Sequence, residues 1–193
     1  MNEGKTFAPG ASANPIQMNN HAAQTSTPAL HGALILDAIK AAGINYVLSV
    51  PDLHTSQGLL KPIAVDPALT LIRVCKEDET LGIAAGLIYG PNRPLILIQY
   101  TGFLYALNSI RAVAVEHRQP IVLMIGLLSK EPGVMPQESK KYGIRIVEPI
   151  LDAMGIQRCL IETDKDVGLI QPAIETAFAT SRPVAILIGG KPA

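Results

Sequence analysis

The sequence contains no tryptophan, and only three of its 193 residues are phenylalanine and five tyrosine. The apolar 48% of the chain is therefore mainly aliphatic, and such Val, Ile and Leu runs are typical of parallel strands buried on both faces of a sheet. Neither sign of charge is in excess, since sixteen basic residues balance sixteen acidic ones. We expect no nucleic-acid partner, because nucleic-acid binding requires a basic surface. A net charge near zero also favours association with other proteins.

Long hydrophobic runs and cysteine pairs are missing as well. No apolar run reaches the ~20 residues of a membrane-spanning helix, and the first residues lack the basic and apolar regions of a signal peptide. The two cysteines, Cys75 and Cys159, do not form a CxxC pair, and their apolar neighbours predict two buried, reduced thiols. These absences predict a cytoplasmic protein that binds no membrane.

The composition divides the chain into two parts. Residues 1–27 are rich in Asn, Gln, Ala, Ser, Thr and Pro and show no apolar periodicity, which predicts an arm that is disordered or ordered only against a partner. Thr27-Pro28 is typical of a helix N-cap followed by proline at the first helical position. Residues 28–193 have a length that suits one domain.

Within this domain, short apolar runs alternate with segments of helical length. The predicted strands are Tyr46–Val50, Leu69–Cys75, Pro94–Tyr100, Pro120–Leu127, Arg158–Glu162 and Val184–Gly189. The predicted helices after the first one are Ser56–Ile63, Asp78–Tyr89, Phe103–Arg118, Ile146–Met154 and Asp166–Thr180. The alternation predicts an α/β fold with a doubly wound, mainly parallel six-stranded sheet and helices on both faces. In such sheets, functional residues gather in the loops at the carboxyl ends of the strands.

An acidic loop follows the second predicted strand, where Glu77 precedes Asp78 and Glu79 at the start of a helix. Acidic residues in a first helical turn commonly do no more than offset the positive end of the helix dipole. Gly82 and Gly86 favour a second interpretation, because each glycine inside a helix costs about 1 kcal/mol relative to alanine. Their presence is explained if another backbone or a cofactor ring lies against that face.

Glu77, Gly82 and Ala85-Gly86 resemble the motif of the pyrimidine-binding domain of thiamine diphosphate enzymes. Three further segments are similar to the phosphonopyruvate and sulfopyruvate decarboxylase branch of these enzymes, and the resemblance covers roughly residues 30–190. These segments are Val50-Pro51-Asp52 with Leu60-Lys61-Pro62, Gln99-Tyr100-Thr101-Gly102 with Asn108, and Glu131-Pro132-Gly133-Val134.

The resemblance implies a role for each matching residue. Glu77 would be the catalytic carboxylate that hydrogen-bonds N1′ of the cofactor's aminopyrimidine and thereby promotes loss of the C2 proton of its thiazolium ring. The cofactor-binding residues would be Glu77, Gly82, Pro51, Asp52, Thr101 and Gly102. The activity implied is non-oxidative decarboxylation of a small 2-oxo acid to an aldehyde, for which the cofactor supplies the difficult chemistry.

The other half of such an enzyme is absent from this sequence. The family binds the diphosphate through Mg²⁺ with a Gly-Asp-Gly motif and a later Asn, and this chain contains no Gly-Asp-Gly. We therefore expect no metal ligands here and a β subunit that carries the diphosphate-binding half, in an α/β hetero-oligomer like that of sulfopyruvate decarboxylase. Three alternatives stay open: a subunit of an acetolactate synthase-type carboligase, a non-catalytic pyrimidine-domain partner protein, and a flavodoxin-like binding domain, which the lack of any phosphate-binding loop disfavours.

Several residues depart from the family pattern and concern the substrate. Leu104 and Tyr105 replace a Gly-Asn pair, so they either line a less polar substrate pocket or are core or interface residues. Asn108 follows in the same segment. His54 lies in an extended first loop, where it either contacts the substrate or is an ordinary polar loop residue. The long loop 129–143 is a lid or binding segment if its lysines attract an anionic substrate, and otherwise a solvated surface loop.

Overall fold

The computed structural model of the protein describes residues 29–193, and its centre is a six-stranded sheet whose strands all run parallel. The strands are β1 (Tyr46–Ser49), β2 (Thr70–Arg73), β3 (Pro94–Gln99), β4 (Val122–Gly126), β5 (Gln157–Ile161) and β6 (Val184–Ile188). They lie in the order β2-β1-β3-β4-β6-β5. The predicted α/β fold class is therefore confirmed, and the expectation of an arm over residues 1–27 falls outside the described residues.

The connections between the strands are helical. The α-helices are α1 (Gly32–Ala41), α2 (Lys61–Val65), α3 (Glu79–Ile88), α4 (Tyr100–Tyr105), α5 (Leu107–Ser109), α6 (Tyr142–Arg145), α7 (Val147–Ala153) and α8 (Ile170–Thr180). Two π-helical segments, Ser56–Leu60 and Ile110–Glu116, and two 3-10 helices, Pro136–Glu138 and Asp164–Leu169, complete them. Among the described residues, none of these helices has the length and apolar character that crossing a membrane requires.

The sheet is covered on both faces, because alternate residues of each strand point to opposite sides. In β3, Leu95 and Leu97 pack with helices α1, α2 and α8, whereas Ile96 and Ile98 pack with α3, α7 and the segment from α4 onward. All four of these side chains are fully buried. The continuous apolar runs of the sequence therefore correspond to strands with a hydrophobic core on each side.

The first helix begins later than the sequence predicts. Helix α1 starts at Gly32, and residues 29–31 are not helical, so the prediction of a helix from Pro28 is wrong. The backbone of Leu30 is instead bonded to the chain end, since the Ala193 N–H donates to the Leu30 carbonyl at 3.0 Å. Gly32 is required at the helix start, because a Cβ there would overlap the carbonyl oxygen of Gly58.

Two further expectations need correction. Strand β3 passes directly into α4 at Tyr100, so this helical segment begins three residues before the predicted Phe103, and it is divided at Ala106. Cys75 is exposed rather than buried, because it lies in the turn after β2 and not in the strand. Cys159 is partly buried in β5, as its apolar neighbours predicted.

Candidate functional site

The acidic loop between β2 and α3 is stabilised by hydrogen bonds between its own side chains and its own backbone. The carboxylate of Glu79 accepts hydrogen bonds from the N–H groups of Cys75 at 3.1 Å and Lys76 at 3.2 Å. The hydroxyl of Thr80, which is buried, donates to the carbonyl of Glu77. Glu79 and Thr80 therefore fix the turn, and none of these bonds uses the Glu77 carboxylate.

The side chain of Glu77 extends across the end of β1 to the first turn of α4. A Cβ built on Gly102 would lie 2.5 Å from Oε1 and 2.6 Å from Cδ of Glu77, so the carboxyl group lies directly against the backbone of Gly102. Within residues 29–193 we find no hydrogen-bond donor paired with this carboxylate. Glu77 is thus half-buried, positioned by contact with a glycine, and able to accept a bond from another molecule.

The location of this contact follows from the strand order. The chain leaves β1 for the edge strand β2 and then returns to β3 on the other side of β1. The connections after β1 and β3 therefore diverge, which creates the crevice where ligands bind in open α/β sheets. Glu77 and Gly102 meet at this crevice.

Asp78 differs from its two acidic neighbours. It is the N-cap residue of α3, and its Oδ1 atom is buried with no hydrogen-bond partner among the described residues. The positive end of the helix dipole stabilises a carboxylate at this position. Of the three acidic residues, Glu79 thus binds backbone, Asp78 stands at the N-terminus of α3 without a capping hydrogen bond from its side chain, and Glu77 faces the crevice.

The residues that the resemblance assigned to the cofactor lie at the same edge of the sheet. Thr101 is exposed beside Gly102, and its hydroxyl accepts a 2.9 Å hydrogen bond from the Gln99 side-chain amide. Pro51 is exposed after β1. Gly82 is also exposed, on a face of α3 where an added Cβ would meet no atom within 4 Å. Their cofactor contacts stay predictions.

Asp52 has a clear structural role in the first loop. Its Oδ1 accepts bonds from the N–H groups of His54 at 2.6 Å and Thr55 at 2.7 Å, and its Oδ2 accepts the Thr55 hydroxyl at 2.6 Å. Such side-chain bonds to the backbone two and three residues ahead stabilise a turn. This turn directs the side chain of His54, two residues after Asp52, into the protein.

His54 is buried, with only 4% of its surface exposed. Its Nε2 lies 3.1 Å from the carbonyl oxygen of Ile188, and since a carbonyl only accepts, Nε2 carries a proton. Burial lowers the pKa of His54, although the bond to the Ile188 carbonyl opposes the shift. His54 is therefore a neutral residue beneath the ends of β4 and β6, and its predicted contact with substrate stays a prediction.

The three other candidate substrate residues are not a buried cluster. Leu104 is half-buried against the core, and Tyr105 is 58% exposed. Asn108 is exposed, and its side-chain oxygen accepts a 3.0 Å bond from the Arg111 guanidinium. Tyr105 and Asn108 are therefore open to another chain or to a ligand, whereas Leu104 contributes to packing.

The long loop after β4 is closed by Glu131. Its Oε2 accepts the hydroxyl of buried Ser139 at 2.7 Å, and its Oε1 accepts the N–H of Lys140 at 3.1 Å. These bonds hold the pKa of Glu131 below its usual value, and the bond from Ser139 has the largest effect. Lys130 is buried rather than solvated, so the surface-loop interpretation is wrong for this residue. No local feature of the sequence indicated this burial.

The geometry fits one part of the implied cofactor. An unpaired carboxylate against a glycine, in a crevice at the carboxyl ends of the strands, suits a hydrogen bond to the ring nitrogen of a flat heterocycle. Gly102 is essential to this arrangement, because any side chain there would displace the carboxylate. Within residues 29–193, no group of three or more His, Cys, Asp or Glu side chains is arranged to hold a metal ion.

The known proteins that are similar to this chain share one name. No protein-family model matches the chain. It is 29% identical over 164 residues to the sulfopyruvate decarboxylase subunit alpha of Methanocaldococcus jannaschii, across 82% of this chain and 93% of that protein. The corresponding subunit of Methanothermobacter thermautotrophicus is 29% identical over 154 residues, across 78% and 90% of the two chains. The resemblance inferred from the sequence is confirmed.

A third relative is much longer than the region that matches this chain. The sulfopyruvate decarboxylase of Methanosarcina acetivorans is 26% identical over 164 residues, which are 81% of this chain but only 39% of that protein. The matched region therefore spans nearly the whole length of the relatives named as alpha subunits. It spans less than half of the Methanosarcina acetivorans protein.

Proposed function

We propose that this chain is the pyrimidine-binding α subunit of a thiamine diphosphate-dependent 2-oxo-acid decarboxylase of the sulfopyruvate decarboxylase type. The relatives support a decarboxylase role, since four curated proteins of this name match the chain at 26% to 29% identity. The designation of three of them as alpha subunits supports a hetero-oligomer. We infer that its β subunit holds the diphosphate and its Mg²⁺.

The observation that carries the proposal is the contact between Glu77 and Gly102. The carboxylate has no hydrogen-bond partner in the described chain, lies at the topological switch of the sheet, and is held by a residue without a side chain. A carboxylate retained for the helix dipole alone would not need a glycine opposite it. The structural tasks of the loop are performed by Glu79 and Thr80, which leaves Glu77 for a ligand.

Each residue would then have a defined task when the cofactor is bound. The cofactor supplies a thiazolium ring that accepts the electrons released when carbon dioxide leaves a 2-oxo acid. Glu77 holds a proton at the pyrimidine ring nitrogen, and Gly102 keeps the carboxylate at the correct position. Glu79 and Thr80 keep the loop before α3 in place.

The proposal also requires a partner, because this sequence contains no Gly-Asp-Gly motif of the kind that the family uses for the diphosphate and its Mg²⁺. The exposed face of α3 at Gly82 and Gly86 and the exposed side chain of Tyr105 remain available to it. Net charge near zero is compatible with such an association.

Reconstitution tests the proposal. The purified chain should not decarboxylate sulfopyruvate, and its binding of thiamine diphosphate with Mg²⁺ should be weak. Addition of a β subunit that contains the Gly-Asp-Gly motif should produce both activities and an assembly larger than a heterodimer. Turnover by the chain alone, or no turnover by a complex that forms, would contradict the proposal.

A further inference from the structure

Strand β5 forms one edge of the sheet, and within residues 29–193 no further strand pairs with its outer side. The N–H of Gly189 donates to the carbonyl of Ile161 at 2.9 Å, so the backbone of Ile161 faces β6. Because backbone groups alternate in direction along a strand, Cys159 also faces β6. The N–H and carbonyl groups of Arg158 and Leu160 therefore point away from the sheet.

This open edge has two definite ends. On one side, the Ile156 N–H is already bonded to a carbonyl of α7 at 2.9 Å. On the other side, the Glu162 N–H is bonded to the carboxylate of Asp166 at 3.0 Å. The edge that another strand can join is thus residues 157–161, and its centre is Cys159.

The open edge is complementary to an antiparallel copy of itself. A two-fold axis at Cys159 places Arg158 opposite Leu160 of the second copy, and Leu160 opposite Arg158 of the second copy. Residues paired in this way exchange both of their backbone hydrogen bonds. All the outward groups of the two strands are then satisfied. A shift by two residues would instead pair Arg158 with Glu162 or Leu160 with Ile156, whose N–H groups are already bonded.

The charges at this edge do not obstruct such pairing. Arg158 is the one charged residue among 157–161. Its Nε donates to Glu148 at 2.8 Å, and its two terminal nitrogens bind the two carboxylate oxygens of Asp152. The guanidinium is therefore held against α7, whereas edge strands that avoid pairing commonly place charged side chains across the edge. One carboxylate charge remains in excess on the α7 side, and salt screens it.

Space for a second strand exists on both faces of β5. A groove of about 640 Å³ lies on the α7 side, and one of about 200 Å³ lies on the α8 side. Leu160 packs toward the first face and Cys159 toward the second, and neither is fully buried. Side chains of an added strand point to the two faces in turn, so the grooves can receive Leu160 and Cys159 of a second copy.

We propose that β5 pairs antiparallel with β5 of a second copy of this chain, about a two-fold axis at Cys159, so that the two sheets become continuous. The opposite edge strand, β2, leads into the loop of Glu77, and β4 and β6 separate β5 from the strands beside the crevice. The pairing therefore leaves the crevice open. It requires only residues of this chain and is independent of the proposed function.

Sedimentation velocity of the full-length chain, without any partner, tests the proposal. The chain should form a dimer that depends on its concentration and persists at about 0.5 M NaCl, because backbone bonds rather than ion pairs join the copies. Leu160→Pro removes an outward N–H and should weaken dimerisation by about tenfold or more. The bonds to β6 remain, since proline is tolerated where the N–H of an edge strand faces solvent. Leu160→Ala is the matched control: it loses the same side chain, keeps the N–H, and should dimerise much better than Leu160→Pro.

Cross-linking tests the register, even if Leu160→Pro does not fold. In Cys75→Ser the remaining cysteine is Cys159, and two such residues opposite each other have Cα atoms about 4.5 Å apart, which a disulfide spans. Copper-phenanthroline should therefore link the Cys75→Ser dimer. The oxidation takes hours at alkaline pH, because burial raises the pKa of this thiol to about 11. A chain that stays monomeric, a dimer that Leu160→Pro does not weaken, or a dimer that Cys159 does not cross-link would overturn the proposal.

Discussion

Glu77 lies against Gly102, although the two residues follow different strands and are separated by β1 in the sheet. A Cβ on Gly102 would come within 2.6 Å of the Glu77 carboxyl carbon. The position of the carboxylate is therefore determined by the absence of a side chain on another loop. This relationship makes Gly102 a positioning residue whose role can be tested separately from that of Glu77.

Gly102→Ala should displace the Glu77 carboxylate and lower the rate of cofactor C2-proton exchange in the reconstituted complex. A misplacement of about 1 Å in a reacting group can cost on the order of 10²-fold in rate. The fold should survive, because the added methyl meets the end of a flexible side chain. Gly168→Ala is the matched control, since a Cβ there meets no atom within 4 Å. Wild-type exchange in Gly102→Ala would show that the contact does not position the carboxylate.

Gly82→Ala should have opposite effects on the isolated chain and on the complex. In the chain alone, the methyl enters open space, so the free energy of unfolding should rise by up to about 1 kcal/mol. If the cofactor or the β subunit covers this face of α3, the affinity of the pair should fall. Denaturant unfolding and a titration with the β subunit measure the two effects. An unchanged affinity would mean that this face stays open in the complex.

Buried His54 predicts a loss of stability in mild acid. Its folded-state pKa lies below the ordinary value of 6.5, so the unfolded chain takes up a proton first as the pH falls. Stability is fully present above pH 6.5 and is lost between that pH and the folded-state pKa, by up to about 1.4 kcal/mol per pH unit. His54→Asn should flatten the curve of unfolding free energy as the pH falls below 6.5. The same slope in wild type and variant would assign the effect to other groups.

The two cysteines should react very differently. Cys75 is exposed, whereas burial raises the pKa of the Cys159 thiol to about 11. At pH 8, iodoacetamide should alkylate Cys75 rapidly and leave Cys159 largely unmodified until the chain is unfolded, because only the thiolate reacts. Mass spectrometry of wild type and Cys75→Ser measures this. Rapid labelling of Cys75→Ser in the folded state would contradict the burial of Cys159.

Much of the fold was predictable because its hydrophobic pattern is local. All six strands and the main helices could be located, since uniformly apolar runs such as residues 94–98 require cover on both faces. The strand order was not predictable, because it depends on which helix packs on which face. The start of α1 was also missed: the close approach of Gly32 to Gly58 and the bond between Leu30 and Ala193 connect distant parts of the chain.

The candidate site was only partly predictable for the same reason. Glu77 was indicated by its motif, and Gly102 by another, but their contact depends on the strand order. Asp52 had a motif signal too, yet the structure gives its carboxylate a turn-forming role that the sequence did not reveal. The ion pair of buried Lys130 with partly exposed Glu162 had no local signal, since lysine is usually exposed.

The most direct test of the account compares Glu77→Gln with Glu79→Gln. The amide of Glu77→Gln is nearly isosteric but cannot hold a proton between a carboxylate and a ring nitrogen. Loss of the Glu77 carboxylate should therefore reduce the rate of C2-proton exchange of the bound cofactor by about 10²–10⁴-fold. Glu79→Gln changes a carboxylate that binds the backbone of its own loop, so exchange should be nearly unaffected.

The measurement is the C2-proton exchange rate of thiamine diphosphate in each reconstituted complex, with a thermal melt to verify folding. The account predicts slow exchange in Glu77→Gln, near wild-type exchange in Glu79→Gln, and intact folding in both. Exchange at the wild-type rate in Glu77→Gln, or its loss in Glu79→Gln alone, would contradict the assignment of Glu77 as the catalytic carboxylate.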